Sequence, residues 1–153
     1  MPVISKHQKD HRYTLPYPVW SNEYIEIWWD TIIKTVPIVH HNKPDIVVWL
    51  KKENKCFIID ICVPLDENVH KQEKIKIDNY TLLKIGLSRL YPNYTYEVVP
   101  IVLGATGLVT NSLVNYMSNI FTKNETLEII QKLQQKALIG SMRIIKSALS
   151  MKS

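Results

Sequence analysis

One stretch limits the fold more than any other: HNKPDIVVWLKKENKCFIIDICVP, residues 41–64. Two apolar runs rich in β-branched residues, Ile46–Leu50 and Cys56–Val63, flank the polar turn Lys51–Lys55. That pattern predicts a hairpin. Asp45 stands at the entrance of its first strand and Asp60 in the middle of its second. A carboxylate inside an apolar strand is costly unless it is paired or holds a metal. Strand parity puts Asp60 and Cys62 on one face and Ile59, Ile61 and Val63 on the other.

The other elements arrange themselves around this hairpin. Residues 1–21 are polar, basic and proline-containing and read as an irregular lead-in to a single domain over 22–153. Asn22–Val36 contains the alternation YIEIWW and predicts a strand, ended by Pro37. Pro44 biases Lys43 away from helix, so His40–Pro44 reads as a loop. Past Pro64, Asp66 is a candidate N-cap for a helix over about Glu67–Leu90. Its stripe reads Val69, Glu73, Lys76, Tyr80, Leu83, Leu87, Leu90. Glu73 and Lys76 interrupt that stripe on the core-facing side, where a break in the pattern is expected for functional reasons. Tyr94–Leu103 reads as a strand, with Pro100 placing it at an edge or bulge. Thr110 or Asn111 would cap a helix to about Phe121, and Asn124 a last helix to about Met151. On the last helix Ile130, Leu133, Ala137, Ser141, Ile144 and Ala148 form an apolar side, opposite Lys132, Lys136, Arg143 and Lys146. Strand, strand, strand, helix, strand, helix, helix is an α/β order in which a helix crosses over between two strands of one sheet.

Composition adds limits. The 153 residues suffice for one domain with its own core. The net charge of +5 is compatible with a polyanionic partner. Cys56 and Cys62 lie on one predicted strand, about 20 Å apart, too far for a disulfide. They point to a reducing, intracellular compartment. No apolar run is long enough to span a bilayer. The N-terminus lacks the apolar core of a signal peptide. The adjacent His40 and His41 point apart in an extended loop and suit the surface better than a metal. The tryptophans Trp20, Trp28, Trp29 and Trp49 read as packing rather than as a base-stacking platform.

A hairpin brings Asp45 and Asp60 to one end of the sheet, within reach of one divalent cation. Two carboxylates with open water positions suit Mg²⁺, with Mn²⁺ as a substitute. A metal there would lower the pKa of a bound water and neutralise a scissile phosphate. A neighbouring lysine would stabilise charge on phosphorus.

These residues resemble a known family. A carboxylate after proline, followed by an acidic strand residue, is the pattern of PD-(D/E)xK restriction-like nucleases. The lysine position of that pattern is Cys62 here. One branch moves the lysine to the following helix: the C-terminal restriction-like endonuclease of site-specific, LINE-like (non-LTR) retrotransposon reverse transcriptases. Its signature is Lys/Arg-Pro-Asp, a spacer, then Asp/Glu, matched by Lys43-Pro44-Asp45 and Asp60. IWWDTIIKT, HHNKPDIVVW, FIIDICVP, ENVHKQEKIKIDNY, VVPIVLGATG and QKALIGSMRIIKSAL are similar to successive blocks of such C-termini.

The resemblance implies a restriction-endonuclease-like mixed central sheet with a crossover helix and two C-terminal helices. It implies Asp45 and Asp60 as metal ligands and Lys76 as the relocated lysine. Glu73 would assist the metal or hold Lys76. Lys74 is the alternative lysine, angled away from the stripe. Lys43, Lys74, Lys132, Lys136, Arg143 and Lys146 are the cations available to a DNA backbone. The implied activity is Mg²⁺-dependent nicking of DNA in the nucleus. RNA, or the reverse-transcriptase part of a longer polyprotein, would be further partners; a membrane would not. This chain shows no polymerase segment, which leaves an excised domain, a relic or an independent gene. The rival reading is a domesticated, inactive nuclease fold that binds nucleic acid or protein.

Overall fold

The computed structural model describes residues 19–150, and between 141 and 144 the backbone only. Most of the expected lead-in, residues 1–18, lies outside the described residues. Its last three, Val19–Ser21, form an edge strand, β1. There follow β2 (Ile25–Trp29), β3 (Ile46–Leu50), β4 (Lys55–Cys62), a 3-10 turn (Asp66–Asn68), α1 (Val69–Leu90), β5 (Thr95–Val102), α2 (Asn111–Ser118) and α3 (Lys123–Ser150). The sheet order is β1-β2-β3-β4-β5. The first four strands are antiparallel neighbours. Thr95 N–H donates to the Asn54 carbonyl and Leu103 N–H to that of Cys62, with the same offset at both ends, so β5 runs parallel to β4. The result is a mixed α/β sheet with a crossover helix and two C-terminal helices. Pro100 lies on the edge strand, where its missing N–H is tolerated.

The chain divides into two compact units: Met1–Asp60 with Asn79–Val98, and Ile61–Asp78 with Val99–Ser153. In the first, Val47, Trp49, Cys56 and Ile58 share one face of the hairpin and are buried, as are Leu83 and Leu87 of α1. Trp49 is the hub. Tyr91, Tyr94 and Tyr96 meet it edge-on at 5.4, 5.0 and 6.0 Å between ring centroids, and Trp28 at 5.1 Å. Truncating a buried tryptophan to alanine costs about 3–5 kcal/mol.

The long strand expected over Asn22–Val36 stops at Trp29. Asp30 has φ 47°, a left-handed conformation that breaks the pleat. The chain then loops back, with Ile33 N–H donating to the Asn42 carbonyl and the Thr35 hydroxyl to the Pro37 carbonyl. Ile33 and Thr35 are buried in this loop. Their apolar bulk packs irregular chain, which residue types alone do not distinguish from strand.

In the second unit Leu113 and Met117 of α2 are buried, as are Val99, Val102 and Leu103. Thr110 caps α2 by accepting from Leu113 N–H at 3.1 Å. Asn124 does not cap α3. Thr122 and Glu125 do so reciprocally: Thr122 N–H donates to Glu125 Oε1 at 3.1 Å and Glu125 N–H to Thr122 Oγ1 at 3.3 Å. Asp66 is not an N-cap either, because its carboxylate accepts from the Thr106 N–H and hydroxyl. On α3, Ile130 and Ala137 are buried as expected, Leu133 is half-buried, and Thr126, outside the expected stripe, is buried too. Ala148 is not, because every residue from Ile145 to Ser150 is exposed. Ser141 and Ile144 have no described side chains. A second apolar row, Leu138, Ile145 and Leu149, faces solvent.

Candidate active site

The register of the hairpin places the two aspartates. Ile46 pairs with Ile59 and Leu50 with Lys55, closing on the turn at residues 51–54. Asn54 takes φ 53° there, a conformation asparagine tolerates. Asp45 lies in a bend just before Ile46, and Asp60 follows Ile59 on the facing strand, so both acids stand at one end of the hairpin. Asp45 N–H donates to Asp60 Oδ1 at 3.2 Å. The Asp45 carbonyl in turn accepts from Asp30 N–H. Asp60 is 4 % exposed, while Asp45 is half-buried.

Tyr80 of α1 completes this cluster. Its hydroxyl lies 3.3 Å from Asp60 Oδ1, to which it donates, and 3.4 Å from the Lys43 carbonyl oxygen. Burial pushes the Tyr80 phenol well above its ordinary range; the Asp60 charge, the hydrogen bond to Asp60 and the Asp45 charge push it the same way. The fields of both carboxylates thus converge on one hydroxyl. The His41 ring meets Tyr80 edge-on at 6.4 Å, and His40 meets His41 at 4.8 Å. Both histidines are exposed, as is Lys43, whose ammonium lies 3.4 Å from Asp30 Oδ1.

Glu73 belongs to a different cluster, in the second unit. The Thr110 hydroxyl donates to its Oε1 and the Ser112 hydroxyl to its Oε2, each at 2.8 Å. Since Thr110 also caps α2, Glu73 anchors the start of that helix. Lys76, on the same helix as Glu73, is half-buried, whereas Lys74 is exposed. Lys132 pairs with Glu128 at 3.1 Å on the exposed side of α3. Lys136 and Lys146 are exposed. The Arg143 side chain lies outside the described residues.

The sequence reading overlooked the Tyr80 hydroxyl and the Thr110–Ser112 pair. Tyr80 was visible only as one more member of an apolar stripe. The available signal was a phenol on the stripe of the crossover helix, in a chain with a carboxylate in its central strand. Among the described residues no three acidic, histidine or cysteine side chains gather into one cluster, so the donor set on view is two carboxylates. Two oxygen donors suit a hard cation that retains most of its water. Among the same residues no helix is long and apolar enough to cross a membrane.

Neither a protein-family model nor a curated protein matches this chain.

Proposed function

We propose that this chain is a metal-dependent DNA endonuclease domain of the restriction-like type, related to those of non-LTR retrotransposon polyproteins. One observation carries the reading: Asp45 and Asp60 lie together at one end of the hairpin, the Asp45 N–H donating to Asp60 Oδ1 at 3.2 Å. Two neighbouring carboxylates are a donor set that a hard divalent cation takes while keeping most of its water. The mixed sheet, with an antiparallel hairpin followed by a crossover helix and a parallel strand, is compatible with this reading.

Asp45 and Asp60 would hold Mg²⁺ or Mn²⁺. When bound, the ion supplies an activated water and neutralises phosphate charge. The Asp45 N–H fixes the Asp60 carboxylate against the start of β3. By the resemblance, Lys76 would be the lysine that stabilises charge on the phosphorus. Lys43 and the basic row Lys132, Lys136 and Lys146 would meet the phosphate backbone without reading sequence. Glu73 acts by holding α2 rather than by touching the substrate. The corresponding setting is nicking of a chromosomal target in the nucleus.

Nicking of supercoiled plasmid with Mg²⁺, and its loss on adding EDTA, tests this reading. Asp60→Ala should abolish cleavage and leave the fold intact. The burial of Asp60, with two donors already on one oxygen, favours a second reading: a nuclease-like fold that only binds DNA. In that case neither Mg²⁺ nor Mn²⁺ gives cleavage, and salt-sensitive DNA binding survives Asp60→Ala.

A further inference from the structure

We infer that Tyr80 is the positioning residue of the aspartate pair: its hydroxyl clamps the Asp60 carboxylate so that Asp45 and Asp60 present fixed oxygens to a divalent cation. The inference rests on the metal-site reading above. It starts from a polar group where packing does not need one. Tyr80 is buried, on the stripe of α1 that also buries Leu83 and Leu87. Phenylalanine would supply the same ring. A buried hydroxyl is costly unless it is bonded, so its presence calls for a partner that matters.

That partner is Asp60 Oδ1, which receives two donors from different parts of the first unit. The Asp45 N–H comes from the start of β3 and the Tyr80 O–H from α1, at 3.2 and 3.3 Å. Two donors converging on one oxygen stop the carboxylate from turning about its Cβ–Cγ bond. The orientation of the whole group is thereby set before any cation arrives. Such pre-organisation separates a site that captures a weakly held ion from two neighbouring acids that merely repel.

The hydroxyl has one hydrogen and two acceptors in reach. Asp60 Oδ1, at 3.3 Å, is the nearer acceptor, with the Lys43 carbonyl at 3.4 Å. Both contacts lie at the long end of the hydroxyl range. Bonds of this kind tighten once a site is loaded. The same side chain reaches the backbone of Lys43, two residues before Asp45, so one phenol spans the segment that carries the first acid and the strand that carries the second. The exposed His41 ring lies against the edge of the phenol.

The test uses the full chain with Tyr80→Phe. Mn²⁺ binding without DNA is followed by the loss of the free-ion paramagnetic resonance signal. Nicking is followed across a Mg²⁺ titration. The expected result is Mn²⁺ affinity lowered by about five- to tenfold, the order set by one hydrogen bond to a charged group. The Mg²⁺ concentration for half-maximal nicking should rise by the same factor, with the rate at saturating Mg²⁺ changed less than about twofold. Salt-dependent DNA binding should match wild type. Equal Mn²⁺ affinity in wild type and Tyr80→Phe overturns the inference and leaves the metal site standing. Wild type that binds no Mn²⁺ overturns both. Unfolding on loss of this single oxygen makes the hydroxyl a structural group and overturns the positioning role.

Discussion

Asp60 and Glu73 are both buried acids, one 4 % and the other 7 % exposed, and their surroundings differ in kind. Glu73 has a hydroxyl donor on each oxygen at 2.8 Å, one of them the cap of a neighbouring helix. Asp60 has two donors on a single oxygen and a second acid at the same end of the hairpin. Glu73 is tied to the cap of α2. Asp60 is tied to the backbone of that second acid and to a phenol of α1. Burial of an acid therefore does not mark a site by itself; the groups that hold it do.

Substitution can break or sharpen this contrast. The largest effect is expected for Asp60→Asn. It keeps an oxygen for the Asp45 and Tyr80 donors, so the thermal midpoint should hold within a few degrees, while Mg²⁺-dependent nicking falls by roughly a thousandfold or more, the scale of a lost electrostatic group at a reacting phosphate. A parallel fall of stability and activity would make Asp60 a structural acid like Glu73. Next comes Glu73→Ala, which strands two hydroxyls and should lower unfolding free energy by about 2–4 kcal/mol in urea titrations. Nicking per folded molecule should stay within about threefold of wild type; a larger loss would move Glu73 into the chemistry. Thr110→Val removes the α2 cap and one Glu73 donor, with an expected cost of about 1–2 kcal/mol. The smallest effect is expected for Lys146→Gln on exposed α3. Stability should be unchanged, and the slope of log affinity for duplex DNA against log salt should drop by at most about 0.9.

Much of this was legible in the chain. The hairpin follows from two apolar runs around Lys51–Lys55, and the nearness of Asp45 and Asp60 at one end of the sheet from the same pattern. The crossover helix follows from one stripe, and β5 from the strand-like run Tyr94–Leu103. What escaped depends on partners far away in sequence. Thr110 and Ser112 are ordinary cap residues until Glu73 is folded against them. Asp66 looks like a cap because its use by Thr106 is invisible locally. Ile33 and Thr35 resemble strand residues since burial, not pleating, selects them. On α3, one apolar row accounts for docking, whereas the row through Leu138, Ile145 and Leu149 is exposed, a difference that residue types alone do not mark.

The turn at residues 51–54 acts as a ruler for chemistry that happens at the other end of its hairpin. Because strand side chains alternate, sliding the ladder by one residue would swing Asp60 to the opposite face and carry Ile59 into its place. The length of a solvent-facing loop that touches neither acid thus decides whether the two acids ever meet.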